Sequence, residues 1–177
     1  MASLNTIIAG FGGQGVLFVG KVIAYAGLID NQEVSWLPSY GPEMRGGTAN
    51  CSVCLSDKPI GSPLVTEADA LVVMNSPSFD KFIDTVKPGG TVVVDSSLVS
   101  GQTGRTDINI YAIPATQISN DEGLQGLANI ILLGKFLRET AFTSEETLEK
   151  ALGKCVPPSK SHLLEPNMRA IRLGLSL

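Results

Sequence analysis

The sequence predicts an α/β fold, a mostly parallel sheet flanked by helices, with at least one antiparallel strand and a helical C-terminal third. Three observations carry this. Residues 4 to 10 form a short apolar run that ends in glycines and passes into a helical apolar pattern. Two β-rich runs, Ala70 to Met74 and Thr91 to Asp95, enclose a helical stretch, as in a βαβ unit. Beyond residue 114 the periodicity is helical almost to the end.

In chain order, the first strand and its tight turn lead into a buried helix from Gln14 to about Leu28. A second strand is expected at Glu33 to Leu37, stopped by Pro38, which has no N–H to donate. Pro38 to Gly47 then reads as a long loop. From Thr48 to Leu55 polar and apolar positions alternate, the period of a half-buried strand, expected to run antiparallel to a neighbour. The helix from about Ser78 to Val86 is expected to end at Lys87-Pro88-Gly89-Gly90. Ile108 to Ile113 supplies another strand, Pro114 opens a short helix, and Leu124 to Glu139 carries helical spacing. Ser144 followed by Glu145 and Glu146 is an N-cap with acidic residues in the first turn. Pro157-Pro158 separates that helix from a last one near Ser161 to Leu173.

The chain has 177 residues, with no repeat or linker, which predicts one domain. Charged residues make up 17%, below the roughly 25% of an ordinary soluble domain, so partners are expected to cover part of the surface. A net charge of -4 and no basic stripe argue against nucleic acid, whose affinity comes largely from Lys and Arg at phosphates. The first strand leaves no room for a signal peptide and the cysteines are an odd three, so a reducing cytoplasm is expected. The most apolar stretch, Leu127 to Leu137, is too short for the roughly 20 residues of a bilayer crossing and reads as a buried helix.

Gly10, Gly12 and Gly15 fit G-x-G-x-x-G between a strand and a helix, the Rossmann-like position where backbone amides can approach an anion. The acidic residue that a dinucleotide site wants after the second strand is replaced by Leu37-Pro38-Ser39-Tyr40, which weighs against nicotinamide. Close packing of strand on helix explains the same glycines equally well. The second unusual segment is Ser39 to Gly47, where Tyr40, Glu43, Met44 and Arg45 stand among turn-forming residues. Arg45 offers five donors to a carboxylate or phosphate; an exposed pair with Glu43 is the plainer alternative. The two loops are expected on adjacent strand ends, lining one cleft. Cys51 and Cys54 form C-x-x-C, but on a strand an odd separation sends them to opposite faces, which disfavours a shared metal or disulfide. His162, the only histidine, lies in the helical tail and reads as a surface or structural residue.

GFGGQGVLFVGKVIAYAG at 10 to 27, SYGPEMRGGTANCSV at 39 to 53 and SDKPIGSPLV at 56 to 65 resemble the gamma subunit of 2-oxoacid:ferredoxin oxidoreductases. DALVVMN at 69 to 75 and VKPGGTVVVDSSLV at 86 to 99 extend the resemblance over most of the chain. It implies one gamma-type catalytic domain over 1 to 177, in an enzyme that oxidatively decarboxylates a 2-oxoacid with coenzyme A. The products are acyl-CoA, carbon dioxide and reduced ferredoxin. The wording of the second block leans toward 2-oxoglutarate or branched-chain substrates.

The resemblance further implies that thiamine diphosphate, magnesium and iron–sulfur clusters sit on alpha and beta subunits, joined in some assemblies by a ferredoxin-like delta subunit. No catalytic or metal-ligating residue is expected on this chain. Contact with coenzyme A or a partner is expected at Gly10, Gly12, Gly13, Gln14, Gly15, Tyr40, Gly41, Glu43, Arg45 and Gly46. A free-standing nucleotide-binding module and a purely structural assembly subunit remain the competing readings.

Overall fold

In the computed structural model, which describes residues 3 to 40 and 48 to 177, one six-stranded sheet runs through the molecule in the order β2-β3-β1-β4-β5-β6. The strands are β1 (Ser3–Phe11), β2 (Glu33–Tyr40), β3 (Thr48–Ser56), β4 (Ala68–Val73), β5 (Val86–Asp95) and β6 (Asn109–Ile113). β3 runs against both of its neighbours, and β1, β4, β5 and β6 are mutually parallel, so the expected mostly parallel sheet with an antiparallel strand is what forms.

The helices are α1 (Val16–Ile29), α2 (Ser76–Phe82), α3 (Ala115–Asp121), α4 (Ala128–Thr140), α5 (Glu145–Cys155) and α6 (Leu164–Ser176). One sheet face, with Ile8, Val53 and Val72, packs under α1 and α4, backed by α5 and α6. The other, with Ile7, Leu71 and Val92, packs against α2. Ser144 caps α5 as read from the sequence, its Oγ accepting from the Thr147 N–H at 3.0 Å.

Two boundaries differ from expectation. β2 does not stop at Pro38 but continues to Tyr40, because β2 is an edge strand and a missing N–H there costs no ladder bond. Lys87-Pro88-Gly89-Gly90 does not merely end a helix; a 3-10 turn at Ile83–Thr85 does that, and β5 already begins at Val86. The register explains it: β4 advances from Ala68 to Ala70 while β5 advances from Val86 to Thr91, so the extra residues form a bulge. Gly89 takes φ +79° within that bulge.

α4 and α6 cross at Gly134 and Gly174. A Cβ on Gly134 would strike the Ile171 carbonyl oxygen, and one on Gly174 would strike the Ile131 carbonyl oxygen. Lys135 is buried in the same helix, its ammonium 2.7 Å from Glu139 and 4.9 Å from the centre of the Tyr111 ring. The buried Leu127 to Leu137 helix therefore includes its lysine, which a partner and an aromatic face compensate. Among the described residues, no helix is long and apolar enough to cross a membrane.

Candidate functional site

β1 delivers a glycine turn to the carboxyl end of the sheet. The Gln14 N–H donates to the Phe11 carbonyl at 3.2 Å, closing a four-residue turn whose third member, Gly13, has φ +96°. That torsion is open to glycine and strained for other residues, as at the corresponding position of a type II turn. Gly15 stands at the N-cap of α1 with φ +75°, and no side chain caps this end of α1.

Gln14 is the brace of the loop. Its Oε1 accepts from the Phe11 N–H at 2.6 Å, and its Nε2 donates to the Met74 carbonyl at 3.0 Å, tying the turn to the end of β4. Gly10 makes room for that brace, since an added Cβ would lie 2.6 Å from Gln14 Oε1 and 3.0 Å from the Met74 Cβ. Gly15 makes room for Asn129 of α4, whose amide nitrogen occupies the space a Cβ would need. Three of the residues singled out in the sequence thus hold the loop's own shape, and Gly13, with nothing within 4 Å, is needed for torsion alone.

The second loop is rooted at the same end of the sheet. Phe11 pairs with Thr48, and Tyr40 pairs with Ala49, so β2 ends and β3 begins beside the glycine turn. The strand ends are not adjacent as expected, because β3 lies between β1 and β2. Gly41, Glu43, Arg45, Gly46 and the side chain of Tyr40 lie outside the described residues.

Behind the glycine turn lies a cavity of about 270 Å3, lined by Gly13, Gln14, Met74, Asp95, Thr116 and Asn129 among others. It sits where β1 and β4 send their connections in opposite directions, α1 to one face and α2 to the other, the usual ligand position of an α/β sheet. Asp95 is 1% exposed and closes β5. Its carboxylate accepts from the Ser97 N–H (3.1 Å), the Thr116 N–H (3.3 Å) and the Thr116 hydroxyl (2.6 Å). Asp95, Thr116 and Asn129 were not among the residues singled out; for Asp95 the available signal was an acid directly after the three valines 92 to 94 at the end of β5.

At the opposite end of the sheet a wider recess carries Lys87 and Arg105, but both are engaged. Lys87 pairs with Asp69 at 2.8 Å, and Arg105 holds Asp107 while donating to the carbonyls of Ile83 and Val86.

Cys51 faces α1, its thiol 3.7 Å from the Val16 carbonyl, whereas Cys54 pairs with Ser35 and Asn5 on the other side of the sheet. Burial pushes the Cys51 thiol up to about 12, against small opposing hydrogen bonds from Trp36 and Gly20. Burial likewise raises Cys155 to about 11, with Lys21 opposing, and raises Cys54, with Asp69 adding to the shift. Such thiols stay protonated and unreactive near neutrality. His162 is exposed in the 3-10 segment Pro158–Leu163.

The family model described as pyruvate ferredoxin/flavodoxin oxidoreductase matches residues 5–177. The chain is 40% identical over 170 residues to the 2-oxoglutarate synthase subunit KorC of Methanocaldococcus jannaschii, covering 94% of this chain and 89% of that one. To the ketoisovalerate oxidoreductase subunit VorA of Methanothermobacter thermautotrophicus it is 38% identical over 168 residues, 94% of this chain but 35% of VorA.

Among solved structures it superposes on a keto/oxoacid ferredoxin oxidoreductase gamma subunit from Geobacter sulfurreducens with a TM-score of 0.86 at 31% identity, covering 99% of this chain and 96% of that one. It also shares the fold of part of the 2-oxoglutarate:ferredoxin oxidoreductase of Magnetococcus marinus, with a TM-score of 0.88 at 24% identity, covering 99% of this chain and 31% of that one. The chain belongs to the pyruvate ferredoxin/flavodoxin oxidoreductase family, as a subunit of the gamma type.

Proposed function

We propose that residues 1 to 177 form one gamma-type domain of a thiamine-diphosphate-dependent 2-oxoacid:ferredoxin oxidoreductase that acts in the cytoplasm. The enzyme decarboxylates 2-oxoglutarate or a branched-chain 2-oxoacid, passes the acyl group to coenzyme A and reduces ferredoxin. The observation that carries this reading is the 40% identity to KorC across 94% of the chain. KorC matches almost in full and VorA over a third of its length, which supports a unit that serves either as a separate subunit or fused to more of the enzyme.

Thiamine diphosphate, magnesium and the iron–sulfur clusters belong on the alpha, beta and ferredoxin-like partners. Among the described residues no three His, Cys, Asp or Glu side chains gather into a metal site, and the three thiols are buried and separate. This donor set does not fit a resident cluster. The chain's part is to close the site: the glycine turn shares one end of the sheet with the strand ends that bracket residues 41 to 47, and Arg45 of that segment is the residue proposed to attract an anionic group of coenzyme A or of the 2-oxoacid. The Magnetococcus marinus enzyme holds 2-oxoglutarate, coenzyme A and succinyl-CoA, which supports ligands of that kind for an assembled enzyme of this type.

The test is mass spectrometry of the native complex followed by assay of a 2-oxoacid panel with coenzyme A and a low-potential acceptor. Turnover is expected only from the reconstituted complex, and turnover by the lone chain would overturn the reading. Arg45→Ala in the intact complex is expected to raise the KM for coenzyme A or 2-oxoacid about tenfold or more, as for a lost charge-assisted contact of 1.5–3 kcal/mol. Weakened assembly with unchanged KM values would instead make Arg45 an interface anchor.

A further inference from the structure

We propose that the recess between α1 and the end of α5 is a docking surface for an acidic, extended segment of another subunit, one that sets an apolar side chain between two carboxylates. The proposal rests on the reading of this chain as a subunit of a larger enzyme. The recess measures about 460 Å3. Lys21 comes from α1, Lys154 from the last turn of α5, and Val156, Pro157, Pro158 and Leu164 form an apolar wall. The Lys21 ammonium is close enough to the Cys155 thiol to oppose its upward shift, which places that charge over the recess.

Charge complementarity selects the occupant. No Asp or Glu lines the recess, and among the described residues neither Lys21 nor Lys154 has a carboxylate partner, whereas Lys87, Arg105, Lys135 and Lys150 each hold one. The acids that flank this stretch in sequence, Glu149 and Glu165, act on the Arg172 guanidinium instead. Residues 153 to 162 hold two lysines and a histidine and no acid, in a chain whose net charge is -4. Lys154 complements the dipole of α5, but Lys21 belongs to another helix and has no such role. A compact phosphate finds no cradle here. Pro157 and Pro158 have no N–H, the Val156 N–H donates to the Leu152 carbonyl, and this is the negative end of the α5 dipole. Two separate ammonium groups on flexible stems, beside an apolar wall, suit carboxylates spaced along a polypeptide.

The test treats the reconstituted complex with a water-soluble carbodiimide, which joins an ammonium to a carboxylate in contact with it, and maps the linked peptides by mass spectrometry. Lys21 or Lys154 is expected in an amide link to an Asp or Glu of another subunit. An assembled complex whose links omit both lysines, or join them only to a second copy of this chain, would overturn the proposal and leave the subunit reading intact. A chain that joins no other subunit defeats both. Lys154→Glu, at an exposed position, is expected to weaken association with the other subunits about tenfold or more in low salt and far less in about 0.5 M salt, as a screened attraction requires. Lys21→Gln is expected to act in the same direction. An equal loss from Lys81→Glu, in α2 on the opposite face of the sheet, would trace the effect to net charge and refute the docking surface. Millimolar inorganic phosphate that shifts the Lys154 amide of the 15N-labelled chain would make the occupant a small anion and refute it as well.

Discussion

The turn after β1 and the crossing of α4 with α6 are both built on glycine, for opposite reasons. At the crossing, Gly134 and Gly174 meet the backbone of the opposite helix, which cannot turn aside as a side chain can. In the turn, Gly13 touches nothing and is needed for its positive φ, while Gly15 combines a positive φ with a side-chain neighbour. The two motifs therefore differ in what a single methyl group does, to the helix layer in one case and to the ligand-facing rim in the other.

The largest effect is expected at the crossing. Gly134→Val or Gly174→Val must separate two packed helices and is expected to cost about 3 kcal/mol, read as a lowered urea midpoint. Gly15→Ala is expected to cost about 2 kcal/mol, from its left-handed backbone and the displacement of Asn129, read by the same urea midpoint. A third contact, between Gly20 of α1 and Cys51, is read through pH.

The folded-state pKa of Cys51 lies at about 12, above the ordinary 9.0, so the unfolded chain loses this proton first as pH rises. Stability present below about pH 9 should fall through pH 12, by roughly 1.4 kcal/mol per pH unit at most, and Cys51→Ala should flatten that alkaline slope. Gly13→Ala is expected to cost about 1 kcal/mol by torsion alone. Gly153→Ala closes the series with reversed sign. This glycine lies inside α5 with open space around it, and the change should stabilise by roughly 0.5–1 kcal/mol in thermal unfolding. A destabilising result there would break the distinction between glycines needed for space or torsion and those needed for neither.

Much of the layout was legible in local pattern. The strand-turn-helix at residues 4 to 28, the alternating β3 and the βαβ unit at Ala70 to Asp95 depend on neighbours in sequence, and the structure keeps them. Boundaries that depend on position in the sheet were not legible. Pro38 stops a central strand but not an edge strand, and nothing near residue 38 says which β2 is. The bulge that admits Gly89 into β5 needs the register of β4, some twenty residues upstream.

Of the rim, the glycine torsions were readable, but Gln14 looks from sequence like a free polar group and is tied to Met74 in the fold. The cavity joins Gly13, Asp95, Thr116 and Asn129 from four separate segments, and the helix crossing joins residues 134 and 174. No local period encodes such meetings.

Pro38 carries a consequence for whatever settles on the β2 flank. The outermost strand offers no N–H at its sixth position, so an arriving polypeptide cannot zip along it as a seventh strand without losing a rung. Attachment on that border must come through side chains such as the half-exposed Trp36, a mode that keeps identical copies from polymerising edge to edge.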